Sequence, residues 1–178
     1  MRRSAPSTIR IDAEVGIAFV FLRDGFEAVI DIADLPLVEG KAWRLLTTPT
    51  GHAYAYRRAP GATMLLMHRM LMHSVPGEMV DHVDGDGLNN RRSNLRNCSA
   101  TQNQANRAAD RRSRLGIKGV SPRNGRFRAT ITPKGKKIHL GYYATAEEAA
   151  AAYRGAARLL WGDFAYEPDK KLGPASRS

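Results

Sequence analysis

The sequence predicts an α+β protein assembled from small antiparallel sheets and short helices. Three observations predict it. Short β-enriched runs bounded by Gly, Asn and Pro turns recur along the chain. Two segments, Ser99-Ala-Thr-Gln102 and Thr145-Ala-Glu-Glu148, have the capping-box pattern that opens a helix. Charge is unevenly spread: from Arg107 to Lys137 eleven basic residues face the single acid Asp110, whereas acids are interspersed through the first forty residues.

The elements follow in order. Gly16-Ile-Ala-Phe-Val-Phe-Leu22 and Phe26-Glu-Ala-Val-Ile-Asp-Ile32, joined by Arg-Asp-Gly, read as a β-hairpin. Trp43-Arg-Leu-Leu and His52-Ala-Tyr-Ala-Tyr-Arg repeat the strand-turn-strand pattern. Tyr54 and Tyr56 alternate with alanines there, which suits strands covering a core, with a DNA-contacting platform as the alternative. Met64 to Met72, apolar at helical spacing and followed by Pro76-Gly77, predicts a short core helix. The first capping box predicts a helix from about Ala100 to Asp110, with Asn103 and Asn106 on one face. Beyond Gly116, Gly119-Val-Ser, Arg126 to Thr132 and Lys137 to Tyr143 predict three strands, and the second capping box an alanine-rich helix to about Trp161 lying close against them. The expected division is an N-terminal β-rich region 1–62, a unit 63–110, a linker 111–116, a unit 117–167 and a tail 168–178.

Composition bounds the function. The chain has 178 residues, 43% hydrophobic, with a formal net charge of +11, which fits a globular protein with a polyanionic partner. Cys98 is the only cysteine, so neither an internal disulfide nor a multi-cysteine zinc site can form. No apolar run reaches the roughly 18 residues of a spanning helix, and Met-Arg-Arg-Ser-Ala-Pro is not a signal-peptide core. The expectation is a monomer that is neither exported nor bound to a membrane and works in the cytoplasm.

Chemistry gathers between Val80 and Arg107. Asp81 and His82 precede the turn Asp84-Gly-Asp-Gly87, and Asn94 and Asn103 follow it. An imidazole near its reference pKa can take a proton from water at neutral pH, while a carboxylate and an amide oxygen suit a hard cation such as Mg²⁺. Such a cation stabilises the charge that develops on a leaving phosphate oxygen. Adjacent side chains on an ideal strand point to opposite faces, so a site using both Asp81 and His82 requires a bent or twisted strand end. An EF-hand reading fails, because counting from Asp84 puts Leu88 and Leu95 where oxygen ligands belong. Cys98 is read as a small half-buried residue and not as a nucleophile.

Asp81-His82, Asn89-Asn90, Asn94-Leu95-Arg96 and the spaced Asn103 and Asn106 resemble an HNH endonuclease of the Asn-ended type found in phage homing and nicking enzymes, over about Met67 to Arg107. The resemblance implies a ββα-metal fold. It implies that Asp81 and Asn103 ligate Mg²⁺ or Mn²⁺, that His82 is the general base and that Asn94 holds the loop and orients His82. His68 resembles a recurrent family position near the DNA. From about Leu115 to Tyr166 the chain resembles an AP2 domain, whose three-stranded sheet enters the major groove with the helix packed behind. By that resemblance Arg123, Arg126, Arg128, Thr130, Thr132, Lys137 and His139 meet double-stranded DNA. Phe127 and His139 stand where plant members carry tryptophans, so sequence preference does not transfer. Together these imply a metal-dependent DNA endonuclease of phage or mobile-element type acting in a bacterial host, with a non-catalytic DNA-binding regulator as the alternative.

Overall fold

Small antiparallel sheets carry the strands of the structure, a computed structural model that describes residues 5–109 and 113–168. Ile9–Asp12 (β1), Ile17–Phe21 (β2) and Glu27–Asp31 (β3) form a sheet in that order. Residues alternate along β2 and β3, so Ala18, Val20, Ala28 and Ile30 are buried on one side. The expected hairpin is present. β1 is an addition, because Ile9-Arg-Ile-Asp carries little apolar signal and gains its place by pairing with β2. Leu35–Val38 forms a one-turn helix (α1) with Pro36 in its first turn, where the missing N–H costs nothing.

Arg44–Thr47 (β4), Ala53–Arg58 (β5) and Met64–Leu66 (β6) make a second sheet, β4-β5-β6. The helix expected from Met64 to Met72 is shorter: its first residues pair with β5, Tyr56 against Leu66 and Arg58 against Met64, and only Met67–Leu71 (α2) is helical. A strand edge in need of partners outweighs the helical spacing of three residues, while Met67 and Leu71, four apart, both enter the core. Met79–His82 (β7) and Leu95–Cys98 (β8) form a two-stranded ribbon, with Asp81 opposite Arg96 and His82 opposite Leu95.

One apolar cluster binds these elements. It joins Ala18, Val20, Ala28 and Ile30 to Trp43, Ala55, Met67, Leu71, Leu88 and Leu95. The ribbon and its loop therefore share a core with the N-terminal sheets; an isolated ribbon would be marginal in water.

Ala100–Asn106 (α3), Val120–Arg123 (β9), Arg126–Ile131 (β10), Ile138–Tyr143 (β11) and Ala146–Trp161 (α4) follow. The strands form a sheet ordered β11-β10-β9. Both expected capping boxes are made: Ser99 and Thr145 accept from the N3 amides while Gln102 and Glu148 return to the cap amides. Ala149, Ala150, Tyr153 and Ala157 form the buried face of α4 above Val120, Ala129 and Ile131. Alanines allow a close approach, and Gly119 is pressed closest, since a Cβ there would lie 2.0 Å from Tyr153 Cδ2.

By packing, the chain divides between Cys98 and Ser99. α3, grouped in the sequence reading with the strands before it, packs within the second unit against α4 and the turn Gly162–Phe164. α3 ends at Asn106, and the expected helix end at Asp110 lies outside the described residues, as do the first part of the expected linker and nearly all of the expected tail.

Candidate functional site

The loop between β7 and β8 is knitted by its own side chains. Asp84 accepts from the Asp86 amide at 2.8 Å, and Asp86 accepts from the Leu88 amide at 2.9 Å, two successive Asx turns. Asn94 spans the loop: its Oδ1 accepts from the Asp84 amide at 3.1 Å, and its Nδ2 donates to Asp84 Oδ1 at 2.9 Å and to the Asn89 carbonyl at 2.8 Å. Asn89 Nδ2 donates to Asp84 Oδ2 at 2.7 Å. A single residue so engaged with both ends of the loop fixes the segment that follows His82.

The loop is also tied to the N-terminal sheet. The Val29 amide donates to the Leu88 carbonyl at 2.9 Å and the Asn90 amide to the Val29 carbonyl at 2.7 Å, a parallel bridge. Arg91 pairs with Asp31 at 3.2 Å, and Arg92 forks onto buried Asp34, with Nη2 at 2.7 Å. Gly87 passes beneath β5 where a Cβ would stand 2.2 Å from the Ala53 carbonyl oxygen, so only glycine fits.

These restraints converge on His82, which is 5% exposed. Its Nε2 lies 3.4 Å from Oδ1 of fully buried Asn90, whose Nδ2 donates to the Leu88 carbonyl. With that oxygen accepting, Nε2 carries the proton and Nδ1 is the basic nitrogen. The ring sits edge-on to His68 at 5.0 Å and 6.0 Å from Tyr54. Burial lowers the His82 pKa from its ordinary value, opposed by the Asn90 contact and by Asp84, Asp86 and Asp81. His68 is pushed down to about 3, by burial first and then by His82 and Arg69. Both rings are held neutral at pH 7, the state that a proton acceptor needs.

Asp81 is buried opposite Arg96, which donates to its Oδ2 from Nε at 2.9 Å and from Nη2 at 2.7 Å. Across the ribbon Asp81 stands opposite Arg96 and His82, at the end of β7, opposite Leu95, and both side chains are buried. Cys98 donates weakly to the Met79 carbonyl, and burial and Asp81 raise its pKa, so the thiol is not activated.

In the second unit, Asn103 is half-buried on α3 and Asn106 is buried at its end. Ala129 and Ile131 point into the core, which leaves Arg128 and Thr130 on the open face of the sheet. Arg123, Arg126, Thr132, Lys137 and His139 are exposed. Thr132 and Lys137 flank the strands and do not pair within them.

Sequence reasoning missed several residues. Asn90 and Arg96 stood in the HNH-like motif without an assigned role, and Tyr54 read as core cover, until the fold brought them to His82 and Asp81. Tyr142 was missed because a bulge at Ala129/Thr130 opposite Gly141 breaks the alternation; it faces Arg128 across the strands with its ring 4.7 Å from that of His139. His68, expected near DNA, is 6% exposed and packs under His82. Its sequence signal, a histidine on an apolar helical face, is equally that of a buried ring.

For a divalent cation the donor chemistry is a carboxylate and a carboxamide. Both offer hard oxygens, and Mg²⁺ takes only one or two protein oxygens beside water and phosphate. Asp81 and Asn103 fit that requirement in kind; among the described residues no cluster of three or more His, Cys, Asp or Glu side chains forms a metal site.

Residues 72–105 match the HNH endonuclease family. An uncharacterised HNH endonuclease of Acanthamoeba polyphaga mimivirus is 26% identical over 157 residues, 87% of this chain and 81% of the relative. Protein 3.8 of Escherichia phage T7 is 34% identical over 91 residues, 50% of this chain and 74% of that protein. No solved structure matches the chain significantly. No helix among the described residues is long and apolar enough to cross a membrane.

Proposed function

Residues 72–105 match the HNH endonuclease family, and from that premise we propose that the chain is an HNH endonuclease that hydrolyses phosphodiester bonds in double-stranded DNA with the help of a divalent metal ion, Mg²⁺ or Mn²⁺. The observation that carries the reading is His82, a buried neutral imidazole fixed by Asn90 within a loop locked by Asn94. In this reading His82 takes the proton from the attacking water at Nδ1. Asn94 acts through the loop, holding the backbone after His82 in place. Asp81 and Asn103 hold the cation, which would supply charge stabilisation at the leaving oxygen. Arg96 orients Asp81 through the two hydrogen bonds it donates to Oδ2.

The second unit is proposed as an AP2-like DNA-binding module. Arg123, Arg126, Arg128, Thr130, Thr132, Lys137 and His139 would contact the duplex, mainly through phosphate. A monomeric enzyme of phage or mobile-element homing type, acting in the host cytoplasm, completes the proposal. Mimivirus and phage relatives support a viral origin.

Supercoiled plasmid incubated with Mg²⁺, with Mn²⁺ and with chelator tests the reading. Metal-dependent conversion to nicked or linear DNA is expected, and intact plasmid under every metal condition would overturn it. One observation favours a second reading: Arg96 donates to Asp81 Oδ2 from both Nε and Nη2, and that charge pair could substitute for a cation in a DNA-binding regulator that does not cut. Such a protein would retard DNA equally with and without chelator.

A further inference from the structure

Lys118 differs from the basic residues around it. It lies between Ile117, which packs into the core, and Gly119, which is pinned under Tyr153 and whose carbonyl accepts from the Thr130 amide at 2.8 Å. The backbone on both sides is thus fixed by the sheet. From there the side chain reaches the C-terminal end of α3, where Nζ donates to the carbonyls of Gln104 at 3.0 Å, Ala105 at 2.6 Å and Arg107 at 2.5 Å. An ammonium has three N–H donors and no acceptor, and the last carbonyls of a helix have no partner within it. The negative end of the helix dipole adds to the attraction. The Tyr166 ring lies 5.6 Å from Nζ.

We propose that Lys118 is a positioning residue that clamps α3 to the second unit and so holds Asn103 and Asn106 in place. This rests on the proposed nuclease reading only where Asn103 is concerned. α3 is a seven-residue helix, and a helix that short is marginal in water without outside support. Its capping box secures the first turn, and Lys118 secures the last. The segment leading into the sheet thereby serves the helix: its lysine is committed to the element that carries a metal-ligand candidate. Sequence composition counts Lys118 with the phosphate-binding positive charge, whereas the geometry assigns it to the fold.

The test uses the full chain with Lys118→Met and Lys118→Arg. Amide hydrogen exchange at Asn103 to Asn106 should accelerate by about tenfold or more in Lys118→Met, while β10 amides stay within about twofold of wild type. Lys118→Arg, which keeps a multi-donor cation, should fall between the two. In plasmid nicking, Lys118→Met should need several-fold more Mg²⁺ for half-maximal rate. Its log affinity versus log salt slope should stay at the wild-type value, because a lost phosphate contact would lower it by about 0.9. Unchanged exchange at α3 in both variants would overturn the clamp. Faster exchange with an unchanged Mg²⁺ requirement would overturn the positioning role, and a slope reduced by a full contact would return Lys118 to the DNA surface. If wild type does not nick at all, the nuclease reading fails, and exchange at α3 still decides the clamp. If Lys118→Met loses β10 protection as well, Lys118→Arg decides it.

Discussion

His82 and His68 are adjacent rings with different consequences. His82→Ala should lower nicking by about 10²–10⁴-fold, the usual loss of a general base, while a gel-shift measurement shows near wild-type DNA affinity. Because burial lowers the His82 pKa, its neutral form persists to more acidic pH, so the acid limb of the pH–rate profile should lie below the ordinary 6.5. His68 makes a stability prediction. Folded, it stays neutral down to about 3; unfolded, it takes up a proton at 6.5. Between those values the unfolded chain binds more protons, so stability falls as pH drops through that window, by up to about 1.4 kcal/mol per pH unit for one group. His68→Phe should flatten that acid limb in denaturant titrations at several pH values.

At the scale of elements, the β7–β8 loop depends on its fit beneath β5. Gly87→Ala would drive a methyl into the Ala53 carbonyl and the Tyr54 ring. The backbone carbonyl cannot swing aside as a flexible side chain could, so a loss of about 1–3 kcal/mol is expected in thermal or urea unfolding. Nicking should fall with it, since Tyr54 also lies against His82. A wild-type melting temperature in Gly87→Ala would mean that the loop does not pass beneath β5 as described.

Taken as a whole, the chain has two compact units whose boundary falls before α3. A chain ending at Ser113 should retain the first unit, because the cluster from Ala18 to Leu95 is complete within it. It should lose order in α3, which is left without α4 and Lys118. Its DNA affinity should fall, with the salt slope lower by about 0.9 for each phosphate contact removed. Amide spectra and binding across a salt series measure both effects. An ordered α3 in the truncated chain would contradict the packing-based boundary.

Local sequence was sufficient wherever a structure closes within a few residues. The capping boxes at Ser99 and Thr145, the first hairpin and the order of β9, β10, β11 and α4 were legible, because turn chemistry and capping act over short spans. Asp81, His82, Asn94 and Asn103 stood out by type and spacing. Tertiary structure decided the rest, because it depended on partners distant in the chain. The open edge of β5 converted Met64–Leu66 from helix to strand. Asp31 and Asp34 took Arg91 and Arg92, giving the N-terminal sheet a role in holding the loop. Burial set His68 against the ring of His82, and a lysine just ahead of the later sheet closed the end of α3. Each was settled by which unsatisfied group or apolar face the folded chain brought within reach, information that no short window of sequence contains.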